Sequence, residues 1–245
     1  GRMGGGLDPC GALQVSIELG DGDTREVILR LGAASSSNAA TQLVQRYRGS
    51  LVAAEELHKV RAHWRSVLGA IRIETCAPAV DVMVNGWLMY QVIACRFLAR
   101  SGYYQSGGAI GFRDQLQDSM AMIHADPAAV RAHLLLCAGH QYVEGDVQHW
   151  WHPPMNRGVR TACSDDFLWL VAATNRYVEM TSDVGVLEEA VGYLEGRQLG
   201  AGEESYYDLP VISPLRESLY QHCVRAIEHS LRRGRHGLPL MGSGD

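Results

Sequence analysis

The chain lacks several features that would mark particular classes of protein. No apolar run approaches the roughly 20 residues that cross a bilayer, and residues 1–6 lack the apolar segment of a signal peptide. Basic residues form no stripe, because 22 Lys and Arg residues are spread among 27 Asp and Glu residues, with a formal net charge of -5. These absences argue against nucleic acid and against anionic lipid as partners.

Cysteine motifs and nucleophile motifs are missing as well. The six cysteines form no Cys-x-x-Cys pair, and several lie in apolar helical contexts, where cysteine behaves as a small hydrophobic residue. The sequence has no Gly-x-Ser-x-Gly elbow, and the glycines at 4–6 follow no strand and open no helix. We therefore expect reduced thiols, a cytoplasmic location, no metal, no cofactor and no serine-hydrolase chemistry.

The length and composition allow one large domain or two smaller ones. At 245 residues, of which 47% are hydrophobic, the chain can bury a sizeable core. It begins without an initiator methionine and stops at Asp245 without a polar tail. We expect it to be a piece of a longer protein.

The N-terminal part changes from a strand pattern to a helix pattern. Residues 13–19 and 26–31 alternate apolar and polar side chains around a turn at 20–23, which predicts a β-hairpin. Helical spacing follows over residues 38–48 and 51–68, with Ser50 as an N-cap. A short extended segment, 71–76, is predicted before Pro78.

After Pro78 the pattern is helical almost throughout. The predicted helices cover residues 80–99, 113–122, 127–138, 165–180, 185–194 and 214–233. Cap residues precede four of them, namely Asp126, Ser164, Asp183 and Ser213. This part is therefore predicted to be all-α, with long loops that carry polar and aromatic residues.

Residues 103–169 concentrate the side-chain types that a sugar site needs. A pyranose has hydroxyl groups that donate and accept, so its site requires Asp and Glu as acceptors, Arg as a fixed donor fork, and Asn, Gln or His for paired contacts. Its C–H faces lie flat against Trp or Tyr. All these types occur in segments 103–109, 112–118, 144–154 and 164–166. The stretch therefore predicts a carbohydrate site.

Residues 113–118 form the central motif of this stretch. Helical spacing places Asp114 beside Asp118 and Arg113 beside Gln117. Two acids on one helix face repel each other, which favours a cluster that binds sugar hydroxyls. The alternative is a capped helix start whose acids are simply solvated.

The aromatic motif allows more than one interpretation. Trp150 and Trp151 lie between His149 and His152 in a predicted loop, which favours stacking or pocket lining for one tryptophan. Buried aromatics with satisfied histidines are the alternative, and a metal is disfavoured because no third ligand lies at a usual zinc spacing. Residues 164–166 are interpreted most simply as an N-cap followed by acids that suit the helix dipole.

Several motifs together resemble one enzyme family. They are YYQSGGAIGFRDQLQD, EGDVQHWWHPP, RGVRTACSDDFLWL, the Leu-Glu-Gly segment at 194–196 and the terminal HGLPLMGSGD. With these motifs the chain resembles the glycosyltransferase 36 group, now classed as glycoside hydrolase family ninety-four. Within that group it is similar to the phosphorylase-like C-terminal region of cyclic beta-1,2-glucan synthases and to beta-1,2-oligoglucan phosphorylases.

The resemblance implies a mainly α fold with three parts. Residues 1–35 would be the trailing hairpin of an N-terminal β-sandwich, residues 36–74 a helical linker, and residues 75–245 the first part of an (α/α) six-hairpin barrel. Donor-sugar binding is implied for Arg113 and Asp118. Support for it is implied for Asp114, Gln117, Trp151, Arg160 and Asp166.

The resemblance also implies inverting phosphorolysis. In the family, phosphate attacks the anomeric carbon of a terminal glucose while a single acid protonates the departing oxygen. One acid suffices because phosphate is already anionic. The family's acid is the last Asp of a Gly-Asp-Trp-Asn-Asp motif that begins here at Gly244-Asp245. We therefore expect no catalytic residue before the end of the chain and no activity from the chain alone.

The expected partners follow from the same resemblance. They are a β-glucan oligosaccharide and inorganic phosphate as co-substrate, with a homodimer as a compatible assembly and membrane contact only through upstream regions. An inverting hydrolase, with a second carboxylate roughly 6.5–9.5 Å from the acid, remains an alternative. A non-catalytic carbohydrate-binding module is the other.

Overall fold

The computed structural model describes residues 12–98 and 108–242 of the chain. Residues 1–11, which include Cys10 and the glycine run, the motif residues 103–107 and Asp245 lie outside the described ranges. The chain divides into two compact units, Gly1–Ala62 and His63–Asp245. Within the described ranges, no helix has both the length and the apolar character needed to cross a membrane.

Both helices predicted near the N-terminus are confirmed. α1 spans Ser37–Arg46, and the Ser36 hydroxyl accepts a hydrogen bond from the Ala39 amide at 3.2 Å as its cap. α2 spans Ser50–Leu68, so Ser50 is the first helical residue rather than the residue before the helix.

Only the turn of the predicted β-hairpin is present within residues 12–35. The Asp23 amide donates to the Gly20 carbonyl at 3.1 Å, and the Gly20 amide donates to Asp23 Oδ2 at 3.2 Å. These residues contain no strand, so the prediction of paired strands is wrong for the structure described. The alternating side chains bury no face here, since Leu13 is 84% and Leu29 is 70% exposed. An alternating pattern forms a stable strand only when one face packs against a partner.

The helix predicted for residues 80–99 is interrupted. It consists of α3 (Pro78–Val82), a π-helix (Met83–Trp87), α4 (Leu88–Gln91) and a second π-helix (Val92–Leu98). The break lies at Asn85 and Gly86, where Gly86 has a φ of 145° that favours glycine. The Asn85 side chain accepts from the Ile73 amide at 2.7 Å and donates to the Ile73 carbonyl at 2.8 Å. This pair of bonds fixes the irregular segment 71–76 beside the helical run.

Between residues 108 and 242, four longer helices form the core of the second unit. They are α5 (Phe112–Met122), α6 (Pro127–Ala138), α7 (Asp166–Thr181) and α8 (Leu219–Ser230). The first three lie close to their predicted positions, and Asp126 caps α6 by accepting from the Ala129 amide at 3.0 Å. Leu116, Leu134 and Leu170, one from each of these three helices, are fully buried in a shared core.

The same range of residues contains six strands, so the all-α prediction is wrong. They are β1 (Ile110–Gly111), β2 (Gln148–His152), β3 (Arg157–Thr161), β4 (Ala190–Glu195), β5 (Ser205–Asp208) and β6 (Val211–Ser218). Four form an antiparallel sheet in the order β1-β2-β3-β5, and β4 pairs with β6. The fold is therefore helical with two small sheets.

Two helix predictions failed because strands pair across a distance that a local pattern cannot show. Residues 185–194 form a short 3₁₀ helix, Val184–Glu188, and most of β4. Residues 214–218 belong to β6, and α8 starts after Ser218 as its cap instead of after Ser213. Short apolar runs are ambiguous between helix and strand, and here the pairing of β4 with β6 decides the outcome.

Candidate functional site

α5 begins directly after β1, so its first residues are fixed by the sheet and by the core. Phe112 and Leu116 are fully buried and set the rotation of the helix. The spacing of i and i+4 then leaves Asp114 and Asp118 on one partly exposed face. The structure thus places these two acids side by side, as the spacing predicts.

Arg96, from the second π-helix, lies between these two acids. Its Nε is 2.8 Å from Asp118 Oδ2, and its Nη2 is 3.8 Å from Asp114 Oδ2. The Gln115 side chain donates to the Arg96 carbonyl at 2.8 Å and joins α5 to the π-helix. A cation between two acids offsets their repulsion, which is why the helix tolerates them.

Arg113 connects this group to the start of α7. Its Nε lies 3.9 Å from Asp114 Oδ1, and its Nη1 lies 3.5 Å from Asp165 Oδ2. Asp165 also accepts from Trp169 Nε1 at 3.3 Å and from the Cys163 thiol at 3.1 Å. We call five side chains that are between 22% and 51% exposed the open array, namely Arg96, Arg113, Asp114, Asp118 and Asp165.

The carboxyl groups of the open array differ in how readily they ionise. Burial raises the pKa of Asp118 above its ordinary value, although the hydrogen bond from Arg96 opposes the shift. Burial acts in the same direction on Asp165, but bonds from Cys163, Trp169 and Arg113 outweigh it and lower the pKa of Asp165. Hydroxyl donors from a ligand would stabilise the charged form of Asp118.

His149 lies beside α7 because β2 is irregular at this residue. The register between β2 and β3 shifts between Gln148 and Trp150, so His149 is an extra residue in the strand. Its Nδ1 lies 2.6 Å from Asp166 Oδ2, at the first residue of α7. The prediction that this aromatic motif forms a loop is wrong, because it pairs with β1 and β3 as a strand.

Asp166 contacts the open array only indirectly. The residue is 1% exposed, so its carboxylate lies beneath the surface rather than on it. Burial raises its pKa, and the hydrogen bond with His149 opposes that shift. The predicted cap pattern is also displaced by one residue, since Asp165 rather than Ser164 occupies the N-cap position of α7.

Trp151 and Arg160, two predicted supports of the sugar, lie in the interior. Trp151 is 1% exposed and stacks on His140, with ring centroids 3.7 Å apart. Arg160 is also 1% exposed, and its Nε and Nη2 lie 2.6 and 2.5 Å from the two oxygens of Asp146. These positions favour packing roles. Gln117, in contrast, is exposed on α5.

Arg160 and its neighbours form what we call the interior network: Arg160, Asp146, Glu144 and Tyr142. Arg160 Nη2 also donates to Glu144 Oε2 at 3.0 Å, and the guanidinium lies 3.8 Å from the centroid of the Tyr142 ring. Burial disfavours the charge, but the two carboxylates outweigh burial and raise the pKa of Arg160. The guanidinium is thus held by protein groups on several sides.

Three side chains near the open array have atoms that can bind a metal. Donor atoms of His149, Cys163 and Asp166 all lie within 4.8 Å of one another. Each is engaged by protein, because His149 bonds to Asp166 and the Cys163 thiol donates to Asp165. Burial and the bond to Asp165 raise the pKa of the Cys163 thiol to about 12. The donor atoms thus take part in hydrogen bonds within the protein.

Sequence reasoning missed the roles of Arg96 and His149. Paired acids imply a nearby cation, but Arg96 lies on a different helical segment, and only the fold brings it to Asp118. The sequence allows His149 to be a satisfied histidine or a metal ligand, and its orientation depends on a strand irregularity that has no local signal.

Comparison with known protein families gives a match over most of the chain. The description "Glycosyl hydrolase 94 superfamily, catalytic domain" matches residues 63–245, and "Glycosyl hydrolase 94, supersandwich domain" matches residues 1–50. The chain belongs to the glycosyl hydrolase 94 superfamily. The resemblance seen in the motifs is confirmed, and the open array lies within the catalytic-domain match.

Curated relatives of this superfamily member include a synthase and phosphorylases. The chain is 39% identical over 239 residues to the cyclic beta-(1,2)-glucan synthase NdvB of Rhizobium meliloti, covering 97% of this chain and 8% of that protein. It is 24% identical over 215 residues to the N,N'-diacetylchitobiose phosphorylase of Vibrio furnissii, covering 76% and 27%. It is 26% identical over 257 residues to the 3-O-beta-D-glucopyranosyl-beta-D-glucuronide phosphorylase of Paenibacillus borealis, covering 100% and 30%. The chain thus spans under a third of each relative.

Proposed function

We propose that the protein is an inverting glycoside phosphorylase that transfers the terminal glucosyl unit of a beta-1,2-glucan to inorganic phosphate. It acts alone or as the chain-trimming module of a cyclic beta-1,2-glucan synthase. The observation that carries the proposal is the open array, in which two arginines and three aspartates share a partly exposed surface inside the catalytic-domain match. We propose a cytoplasmic location and an (α/α) six-hairpin barrel as its scaffold.

The open array has the chemistry of a donor-sugar subsite. Arg96 and Arg113 offer forked N–H donors, and the carboxylates of Asp114 and Asp118 accept from hydroxyl groups. The side chains of the open array are between 22% and 51% exposed, so a ligand can reach them. A row of alternating acceptors and donors matches the vicinal hydroxyls of a glucosyl unit.

The names of the relatives support the reaction and the substrate class. Two of the three relatives described above are phosphorylases, and the third is a cyclic beta-(1,2)-glucan synthase. In phosphorolysis the nucleophile arrives as an anion, so the site must bind and orient it and needs one general acid for the leaving oxygen. We assign sugar binding, and not proton donation, to the open array.

Product analysis of the full-length protein tests this proposal. We expect beta-1,2-linked glucose oligosaccharides to release α-glucose 1-phosphate only when inorganic phosphate is added, with the α anomer showing inversion. Release of free glucose without phosphate would contradict phosphorolysis and favour an inverting hydrolase. Binding of the oligosaccharide without any product would favour a carbohydrate-binding module.

A further inference from the structure

The sheet β1-β2-β3-β5 has one inward face and one face that reaches the surface. Trp151 lies on the inward face and is buried in the core. Trp150 lies on the other face, because successive side chains of a strand point to opposite sides. Trp150 pairs with Val159, and Val159 pairs with Tyr207, so these three side chains share that second face.

Four side chains of the second face form a group, which we call the aromatic face: Trp150, His152, Arg157 and Tyr207. His152 joins it because it is paired with Arg157. The Trp150 ring centroid lies 5.6 Å from that of Tyr207 and 5.2 Å from that of His152. The Arg157 guanidinium lies 5.8 Å from the centroid of the Tyr207 ring. Tyr207 remains 47% exposed, so the group presents ring surface to solvent.

The aromatic face also carries polar groups that can bind a ligand. The Tyr207 hydroxyl lies 3.3 Å from His152 Nδ1, which takes up one of its bonding positions. Among the residues that the structure describes, neither the indole N–H of Trp150 nor the guanidinium of Arg157 has a hydrogen-bond partner. Ring surface and two donors thus occur together. This combination suits a ligand that has both hydroxyl groups and C–H faces.

β1 brings the aromatic face close to the open array. Trp150 pairs with Gly111, the residue directly before α5. Opposite residues of antiparallel strands have Cα atoms about 4.5–5.5 Å apart, and Arg113 of the open array follows Gly111 by two positions. Gly111 has no side chain that could cover the Trp150 ring from β1. The aromatic face and the open array are therefore neighbours that share no residue.

We propose that the aromatic face binds a glucosyl unit further along the same β-glucan whose terminal unit lies in the open array. The C–H face of that unit stacks on Tyr207 and Trp150, and its hydroxyls accept from Trp150 Nε1 and from Arg157. The inference rests on the proposed function, because it requires the terminal unit to occupy the open array. It gives stacking to Trp150, whereas the resemblance implied a supporting role for Trp151, which is buried.

The dependence of affinity on chain length tests this contact in the full-length protein. Dissociation constants for a beta-1,2-linked glucose disaccharide and for the corresponding pentasaccharide are measured by calorimetry without phosphate. We expect the wild type to bind the pentasaccharide roughly tenfold more tightly, the size of one aromatic contact. In Tyr207→Ala and in Trp150→Ala, the ratio of the two constants should fall towards one.

Conservative and remote variants distinguish stacking from general structure. Tyr207→Phe keeps the ring and should keep most of the preference for the pentasaccharide, whereas Tyr207→Ala should not. Tyr220→Ala is the matched control, because Tyr220 is 55% exposed, close to the 47% of Tyr207, but lies on α8 outside the aromatic face. It should show the wild-type ratio.

The outcomes separate the two proposals. Equal affinity of the wild type for the two sugars, or an unchanged ratio in Tyr207→Ala, overturns the inference while leaving the proposed function intact. Failure of the wild type to bind either sugar contradicts the proposed function and this inference together. If Trp150→Ala fails to fold, the comparison of wild type, Tyr207→Ala and Tyr207→Phe carries the same decision.

Discussion

The open array and the interior network both pair arginine with carboxylates, but they differ in how deeply these side chains are buried. Arg160 is 1% exposed and bonds both oxygens of Asp146 at 2.5 and 2.6 Å. Arg113 is 25% exposed, and its contacts with Asp165 and Asp114 lie at 3.5 and 3.9 Å. A buried guanidinium held on several sides is out of reach of a ligand, whereas a partly exposed one can be reached. Burial, rather than residue type, therefore separates the structural arginine from the candidate binding one.

The largest expected effect tests the interior network. Arg160→Met leaves Asp146 and Glu144 buried or half-buried without their cation. Removing one partner of a buried ion pair typically costs about 3–5 kcal/mol of unfolding free energy. Urea titration followed by tryptophan fluorescence should show this loss in the full-length protein.

Arg113→Met is the matched variant in the open array. Its ion pairs are partly exposed, and such pairs contribute roughly 0–1 kcal/mol to stability. We expect little change in the urea midpoint and a large fall in turnover. Equal destabilisation by Arg113→Met and Arg160→Met would remove the distinction between the two groups.

The next effect concerns turnover. Asp118→Ala should lower phosphorolysis by roughly 10- to 10²-fold, because a carboxylate that accepts from a sugar hydroxyl forms a charge-assisted bond of about 1.5–3 kcal/mol. Asp183→Ala is the control, because Asp183 also binds an arginine, at 3.0 Å, but outside the open array. Initial rates with saturating phosphate measure the effect. Near-normal turnover of Asp118→Ala would show that the donor subsite lies elsewhere.

A smaller effect concerns how the stability of the buried interior depends on pH. His222 is fully buried, with Nδ1 2.7 Å from Gln141 Oε1, and burial lowers its pKa from 6.5 to about 4. Between those two pH values the unfolded state binds the proton more readily, so stability falls as the pH is lowered. One such group changes unfolding free energy by at most about 1.4 kcal/mol per pH unit. His222→Gln should flatten this slope in urea titrations between pH 6.5 and 4, and an unchanged slope would contradict the assignment.

Local signals predicted a substantial part of the fold. The helices α1, α2, α5, α6 and α7 follow from apolar spacing and cap residues, because each carries an apolar stripe at helical spacing. The strands between residues 108 and 242 did not follow, because β4 and β6 are too short to differ from a helix in pattern alone. Their pairing is a long-range property.

The candidate site was also predicted only in part: some of its residues follow from local spacing, and others are brought in by the fold. The motif at 113–118 is local, so spacing alone placed Asp114 beside Asp118 on α5. Arg96 and His149 join it through a helix contact and a strand irregularity. The family resemblance implied a supporting role at the sugar for Arg160, but only its environment shows the carboxylates that hold it.

The smallest expected effect concerns Gln117, which the motif places beside Arg113 and the structure leaves exposed. An exposed side chain without packing changes stability by at most about 0.5 kcal/mol when truncated, so Gln117→Ala should leave the urea midpoint unchanged. If Gln117 donates one neutral hydrogen bond to the sugar, worth about 0.5–1.5 kcal/mol, the Michaelis constant for the glucan should rise roughly two- to tenfold. An unchanged Michaelis constant would confine the donor subsite to the charged members of the open array. A loss as large as that of Asp118→Ala would instead extend the array along the exposed face of α5.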